Sequence, residues 1–422
     1  MMLKGRLPTV IMALAGLLVL TQLVYISNKE DPVQINSLTV FNNFNIKQEK
    51  LKAEESESEP AEIKHILYFN KYFHLVDWNF GFGREPFITN QCANSNCYIT
   101  NNRSYLPSLS DFEALLFHSR DMESKYVQVP NPARRKTNQK YIFYSLESPL
   151  NDGLDLNNHR LKSFFNWTMS YRIDSDIYLP YGYVSEKESG SVLAPYPPKW
   201  PNSSVVRSMP VLPPKWRQHQ DKRKLVSWVV SNCKTHSKRE EYVEELRRFI
   251  PVDQFGKCND NPCDESTCLK DMEKNYKFYL SFENSFCKNY VTEKFWNALE
   301  LNMIPIVLGS GDYEVIAPPH SYINVKDFDS AEHLAEYLLM LDKNETEYLK
   351  YFWWKENYKI ITDIKVITAK SMCNLCEKLH EQENTEVVKT KEELEFLAGW
   401  WQNNKCIVDK TFKELFRKVL KD

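Results

Sequence analysis

Two sets of residues in this 422-residue chain have types and spacing suited to chemistry. The first is Glu293-Lys294, directly after Thr292 in the stretch YKFYLSFENSFCKNYVTEKFWNALELNMIPIVLG, residues 276–309. A helix starting after Thr292 exposes unpaired N–H groups and roughly half a positive charge at its N-terminus, which attracts anions. Lys294 adds a full charge, so the helix end and the lysine together suit a diphosphate, and Glu293 can accept hydrogen bonds from sugar hydroxyls. An ordinary solvated first turn would carry the same two residues. The second is Glu147, which ends the apolar run KYIFYSL and precedes Ser148-Pro149. A carboxylate at the carboxyl end of a strand faces the ligand cleft of an α/β domain, where it can take a proton from an attacking hydroxyl. The competing role is that of a turn residue ahead of Pro149.

These side chains need elements to hold them. Tyr276 to Phe282 reads as a buried strand and Glu283 to Val291 as a polar loop. Thr292 can cap a helix with Phe295, Ala298 and Leu299 on one face. Ile304 to Leu308 is a second apolar run, broken at Gly309. The unit is βαβ, the building block of a parallel, doubly wound sheet that binds ligands at the carboxyl ends of its strands. KLVSWVVSNC reads as another buried strand, with Ser231 and Asn232 at its cleft end. The helix KREEYVEELRRFI follows, with Tyr242, Leu246 and Phe249 on one face and Arg239 in the first turn, where a forked guanidinium suits a diphosphate. An earlier domain opens near Ile63 with HILYF.

The whole chain then divides as a cytoplasmic tail (1–7), an anchor (8–26), a stem (27–62), a first domain (63–200), a proline-rich linker (201–222), a second domain (223–378) and a helical tail (379–422). The apolar run 8–26 is about the minimum length for a bilayer span. Lys4 and Arg6 before it predict a cytoplasmic N-terminus and a lumenal body, a single-pass type II membrane protein. The run is longer than the apolar core of a cleaved signal peptide. The stem is polar and low in complexity. A net charge of -2 gives no reason to expect a nucleic-acid partner. In an oxidising lumen, Cys92 and Cys97 suit a local disulfide, and Cys233, Cys258, Cys263, Cys268 and Cys287 suit disulfides of open connectivity better than zinc, because no paired CxxC spacing supports a metal there. Sequons stand at Asn102, Asn166, Asn202 and Asn344. The tail, with KEELEFLAGWW and TFKELFRKVL, reads as a helical appendage on the surface.

The 276–309 stretch closely resembles the donor-binding signature of the α1,3/4-fucosyltransferase family, FYLxFENSxCxDYVTEKxxNAL. Where that signature has an acidic residue before the tyrosine, this chain has Lys288-Asn289. DFEALLFHSRD, LESP and FFNWTMSYRIDSDIYLPYG resemble further family blocks. The likeness covers roughly residues 63–378. It implies an α/β fold of the GT-B kind: two Rossmann-like domains facing a cleft, with GDP-fucose on the second and inverting transfer of fucose to a GlcNAc of a glycoprotein glycan.

By the same resemblance Glu147 faces the acceptor as the base, Arg239 contacts donor phosphate, and Asn284, Tyr290, Glu293 and Lys294 are donor contacts. Cys373 and Cys376 resemble the family's C-terminal CxxC and suit a local disulfide. Asp174 and Asp176 can bind a divalent ion but sit in the domain away from the donor. No obligatory metal is therefore expected, a divalent ion being at most stimulatory. Tyr171, Arg172 and Asp174 read either as a sugar-facing group or as a structural ion pair. The segments 90–104 and 150–164 are where acceptor choice is expected to lie. The acceptor itself, whether core GlcNAc, antennal GlcNAc or protein, stays open, as do fucose transfer to protein on the same scaffold and a catalytically silent binding role. The layout of anchor, stem and body is that of a Golgi enzyme.

Overall fold

The computed structural model describes residues 62–409, apart from 123–128, 159, 162, 194–199, 201–221, 264, 382–396 and 403–404, together with residue 414. The expected anchor, nearly all of the stem and linker, and Asn202 lie outside the described residues. Among those described, no helix is long and apolar enough to cross a membrane.

Two parallel sheets carry the chain. The first runs β2-β1-β3-β4-β5-β6, from Lys64–Tyr68 (β1), Cys97–Thr100 (β2), Ala114–His118 (β3), Lys140–Ser145 (β4), Trp167–Ser170 (β5) and Ile177–Tyr178 (β6). Its central strands are continuous apolar runs, such as the fully buried ALLFH of β3, because both faces of a parallel sheet are covered. Tyr183–Glu186 (β7) leaves this domain. The second sheet runs β13-β12-β10-β8-β9, from Lys224–Val229 (β8), Val252–Phe255 (β9), Tyr276–Phe282 (β10), Ile304–Leu308 (β12) and Ile323–Asn324 (β13). Phe286–Cys287 (β11) lies outside it in a small ladder of its own. The βαβ unit read from sequence is present: β10 and β12 pair in parallel from Phe278↔Ile304 to Phe282↔Leu308, and helix Glu293–Glu300 joins them. In helix Arg239–Leu246 the buried face is Tyr242, Val243 and Leu246, and Phe249 is 41 % exposed beyond its end. The 3.6-residue period placed Tyr242 and Leu246 correctly but does not continue past the helix terminus.

The chain leaves the first domain at one strand and returns to it after another, and these two strands pair with each other. β7 and Tyr358–Ile361 (β14) form an antiparallel ladder. Just before β7, Gly182 lies against helix Glu293–Glu300, so closely that a Cβ there would sit 2.5 Å from the Trp296 ring. After β14, helix Ile364–Glu381 returns to the first domain and buries Ile367, Met372, Leu375 and Leu379 in its core. By packing, residues 364–381 therefore belong with the first domain, although they follow the second in sequence.

This return overturns the two local disulfides expected from sequence. Cys92 is bonded to Cys373 and Cys97 to Cys376. Cys373 and Cys376 lie one turn apart on the returning helix, so both sulfurs face the surface where Cys97 opens β2 and Cys92 follows helix Glu85–Thr89. The other bonds are Cys233–Cys258, Cys263–Cys268 and Cys287–Cys406, leaving no free cysteine. The described residues of the tail are not a surface appendage either, while TFKELFRKVL, apart from residue 414, lies outside the described residues. Helix Leu397–Trp401 buries Trp400 and Trp401 in the first core, and Cys406–Ile407 (β15) pairs antiparallel with β11.

Peptide mapping without reduction should recover peptides linking Cys92 to Cys373 and Cys97 to Cys376, and none linking Cys92 to Cys97. Replacing either pair should cost about 2–5 kcal/mol of stability by denaturant unfolding, because each bond closes a long loop.

Candidate active site

The carboxyl ends of β4 and β10 meet across the domain boundary. Glu147 stands two residues beyond β4, its side chain 27 % exposed, and Arg120 Nη1 lies 3.5 Å from its Oε1. Burial pushes the Glu147 carboxyl above its ordinary range, while the Arg120 charge pulls it down. Glu293 and Lys294, on the other domain, also act electrostatically on Glu147. The proposed base and the proposed donor turn thus share one cleft. Burial and the charge of Glu147 also push the neighbouring Tyr72 phenol up to about 12.

The two loops are joined by direct hydrogen bonds. Ser148 Oγ donates to Ser285 Oγ at 3.0 Å. Asn151 Nδ2 lies 3.1 Å from Asn284 Oδ1, from Ser285 Oγ and from Ser148 Oγ. Ser148 and Ser285 are fully buried. Asn284, expected as a donor contact, therefore also bonds to the loop that carries Glu147.

Helix Glu293–Glu300 is fixed at both ends. Thr292 is its N-cap residue, but its hydroxyl does not cap the helix. Thr292 N–H and Oγ–H instead donate to the carboxylate of Glu283, at 2.7 and 2.9 Å. Glu283 is fully buried and was missed from sequence, where it reads as one polar loop residue among several. Burial raises its pKa, against the nearby charge of Lys294. Lys294 Nζ lies 2.7 Å from Glu293 Oε1, 2.8 Å from Thr292 Oγ1 and 3.7 Å from Glu283 Oε2. At the opposite end, buried Lys355 donates to the carbonyls of Glu300 and Leu301 at 3.1 and 2.8 Å. A carboxylate at the N-terminus and an ammonium at the C-terminus both complement the helix dipole.

Arg239 stands in the first turn of its helix, as expected, but is buried there. It is 2 % exposed and donates to the carbonyls of Phe282 and Asn232, at the ends of β10 and β8. Ser237 Oγ–H donates to the Glu283 carbonyl at 2.6 Å, fixing the same loop. Ser231 and Asn232 are exposed just past β8. Tyr290 is buried, with its ring 5.0 Å from Tyr171. A cavity between the domains is lined by Tyr171, Tyr181, Asn289, Val291 and Trp296 among others.

The alternatives left open for Arg172 and Asp174 resolve to a structural pair. The buried guanidinium binds Asp174 at 2.9 and 2.6 Å and lies 4.0 Å above the Trp400 ring. Lys288 also contacts Asp174, at 3.1 Å, and Asp176 accepts from Thr168 N and Oγ. Of the sequons, Asn102 and Asn344 are exposed. Asn166 is half-buried and ties two backbones together: its Oδ1 accepts from Tyr141 N at 2.6 Å and its Nδ2 donates to the Gln139 carbonyl at 3.1 Å.

Asp152 is a second carboxylate that sequence reasoning missed. It ends the short helix Pro149–Asp152, is 1 % exposed, and accepts from Trp401 Nε1 at 3.0 Å. Burial pushes its pKa up to about 6 from an ordinary 3.8. Between those values the folded chain holds a proton that the unfolded chain has lost, so stability falls as pH rises. The cost is complete above pH 6, on the order of 3 kcal/mol. Asp152→Asn keeps an acceptor for Trp401 and removes that cost. It should raise the melting temperature relative to the parent at pH 7 and scarcely change it near pH 4, as a pH series of thermal melts will show.

Both domains match family profiles. Residues 61–182 match "Fucosyltransferase, N-terminal" and residues 219–395 match "Glycosyltransferase family 10 (fucosyltransferase) C-term". Alpha-(1,3)-fucosyltransferase C of Drosophila melanogaster is 30% identical over 411 residues, 95% of this chain and 89% of that protein. Glycoprotein 3-alpha-L-fucosyltransferase A of the same species is 34% identical, covering 81% of this chain and 61% of that protein. Among solved structures, an alpha1,3-fucosyltransferase aligns with a TM-score of 0.44 at 20% identity, over 71% of this chain and 82% of that one. With both profiles matched in order and a relative aligned across nearly its whole length, the chain belongs to glycosyltransferase family 10, the fucosyltransferases.

Proposed function

We propose that this chain is an inverting α1,3-fucosyltransferase of GT-B architecture that moves L-fucose from GDP-β-L-fucose to a GlcNAc residue of a glycoprotein glycan. The observation that carries the mechanism is the direct hydrogen bonding of the loop after Glu147, through Ser148 and Asn151, to Asn284 and Ser285 of the loop that leads to Glu293 and Lys294. Supporting the reaction class, the relatives bear the names alpha-(1,3)-fucosyltransferase and glycoprotein 3-alpha-L-fucosyltransferase.

Inversion is a single displacement. The acceptor hydroxyl attacks the anomeric carbon as the GDP diphosphate departs, and Glu147 takes the hydroxyl proton. By analogy with glycoside hydrolysis, positive charge develops on the sugar ring in the transition state. A carboxylate whose pKa is raised by burial is the stronger base, and Arg120 keeps it ionised and in place. Lys294 and the helix N-terminus offset the charge that builds on the leaving diphosphate. Ser231 and Asn232 line the same rim, and Arg239 adds positive charge beneath it. These groups neutralise the diphosphate without a metal, and Asp174 already has cationic partners in Arg172 and Lys288. The reading includes a single-pass type II placement in the Golgi membrane with a lumenal body. It is supported by Lys4 and Arg6 ahead of the apolar run 8–26 and by five disulfides, which persist in oxidising compartments.

Incubation with GDP-fucose and a panel of N-glycan cores, antennal N-acetyllactosamine and unglycosylated protein should add one fucose to a GlcNAc-bearing acceptor, read by mass spectrometry, and should do so equally in chelator. Transfer to protein alone, or none, would contradict the proposal. Glu147→Gln should lower kcat by about 10²- to 10⁴-fold with GDP-fucose affinity retained, and should remove the fall in turnover as pH drops through the raised carboxylate pKa. Lys294→Ala should instead weaken GDP binding and lower kcat together; unchanged values for both would exclude it from the donor site.

A further inference from the structure

The C-terminal tail lies mostly beyond the matched family profile, which ends at residue 395. Its described part contributes no strand to either main sheet. It contacts instead the segments that carry the reacting groups. On the first domain, Trp401 is fully buried, with its ring 5.0 Å from that of Phe143 on β4, the strand that leads to Glu147. Its Nε1–H donates to Asp152, five residues after Glu147. Gln402 holds the next turn through Leu156 N and the Leu154 carbonyl. The Trp400 carbonyl accepts from Arg172.

A few residues later the same segment reaches the donor loop. Cys406 is bonded to Cys287, Lys288 N donates to the Lys405 carbonyl at 2.8 Å, and Cys406–Ile407 pairs with Phe286–Cys287. Cys287 is three residues from both Asn284 and Tyr290. The ring of Trp401 is 5.4 Å from Tyr171, and Tyr171 in turn meets Tyr290, so an aromatic chain links the two attachments. Residues 397–402 thus hold the loop after Glu147, and Lys405 to Ile407, a few positions on in the chain, hold the donor loop.

We propose that this segment is a clamp that sets the distance between the base and the donor, with Trp401 and Cys406 as positioning residues for transfer. Neither touches substrate. Each acts through a loop, Trp401 through Asp152 and Cys406 through Cys287. Reaction rate is steep in such placement, since a misplacement of about 1 Å can cost on the order of 10²-fold. GDP binding is not, because the charged groups assigned to it, Arg239 and Lys294, both lie on the second domain.

The test uses the full-length chain. Cys287→Ala/Cys406→Ala removes the bond without leaving a free thiol. It should lower kcat by about 10- to 100-fold, leave the Kd for GDP within about threefold by calorimetry, and raise hydrogen exchange in residues 286–290 but not in β10. Trp401→Phe keeps an aromatic ring in the core but removes the hydrogen bond to Asp152 and part of the buried ring volume. It should lower kcat about fivefold with the same GDP affinity. It also decides the matter if the cysteine variant fails to fold. Parental kcat in either folded variant, or a GDP Kd that rises in step with the loss of turnover, would overturn the clamp. The inference rests on Glu147 being the base. A fully active Glu147→Gln enzyme would defeat that reading while leaving the clamp variants' kinetics to be judged on their own.

Discussion

The junction between the Ser148–Asn151 turn and the Asn284–Ser285 turn is the contact on which the active site depends. The proposed base stands at the end of one sheet and the proposed cationic helix end belongs to another, and no covalent geometry within either domain sets their separation. Three side chains meet directly across it: Ser148 and Asn151 on one side, Ser285 on the other, all within 3.1 Å of one another. Neutral hydrogen bonds of this kind contribute only about 1 kcal/mol each. Their value here is directional. Two of the three residues are fully buried, so breaking the junction would strand polar atoms away from water, which costs more than the bonds contribute. The loops therefore have one arrangement that satisfies them.

Beneath that junction lies a set of buried charges. Glu283, Arg239 and Lys294 are clustered behind the donor loop, with Glu283 and Arg239 essentially inaccessible. Taking such groups out of water is unfavourable unless each finds partners. Here Glu283 is held by the backbone and hydroxyl of Thr292, and Arg239 by two strand-end carbonyls. The arrangement fixes the helix N-terminus relative to β10. It also leaves Lys294 bonded to Glu293, which is about half exposed and faces the cleft. An incoming diphosphate would compete for Lys294 with a carboxylate that is already solvated on one side, rather than with a fully buried one.

The crossings of the chain explain why the two domains hold together at all. The outgoing β7 and the returning β14 pair as one ladder, and the returning helix is bonded twice to the start of the first domain. The ends of the folded chain are thereby brought onto the domain where it began. Beyond the returning helix, Trp401 packs in the first core and Cys406 is bonded to the donor loop.

Much of this was legible in the sequence, and for a local reason. β10 and β12 follow from uninterrupted apolar runs, the helix between them from the spacing of Phe295, Ala298 and Leu299, and the cleft side of the sheet from the handedness of parallel crossovers. The positions of Glu147, just past β4, and of Lys294, in the first helix turn, could be read because each is fixed by such an element within a few residues. What the sequence left undetermined depends on contacts between distant residues. Cys92 and Cys97 are near in sequence, yet each meets a cysteine about 280 residues away, because the returning helix docks where they lie. Arg239 was placed in the right turn, but its burial depended on strand ends that lie on two different strands. Asp152, Glu283 and the tail carried no local signal, since a single carboxylate or a Trp-Trp pair has the same pattern on a surface as in a core. Periodicity specifies elements because it is a property of neighbouring residues; tertiary packing decided which carboxylates, cysteines and tail residues meet, because that depends on where the completed sheets bring the chain back.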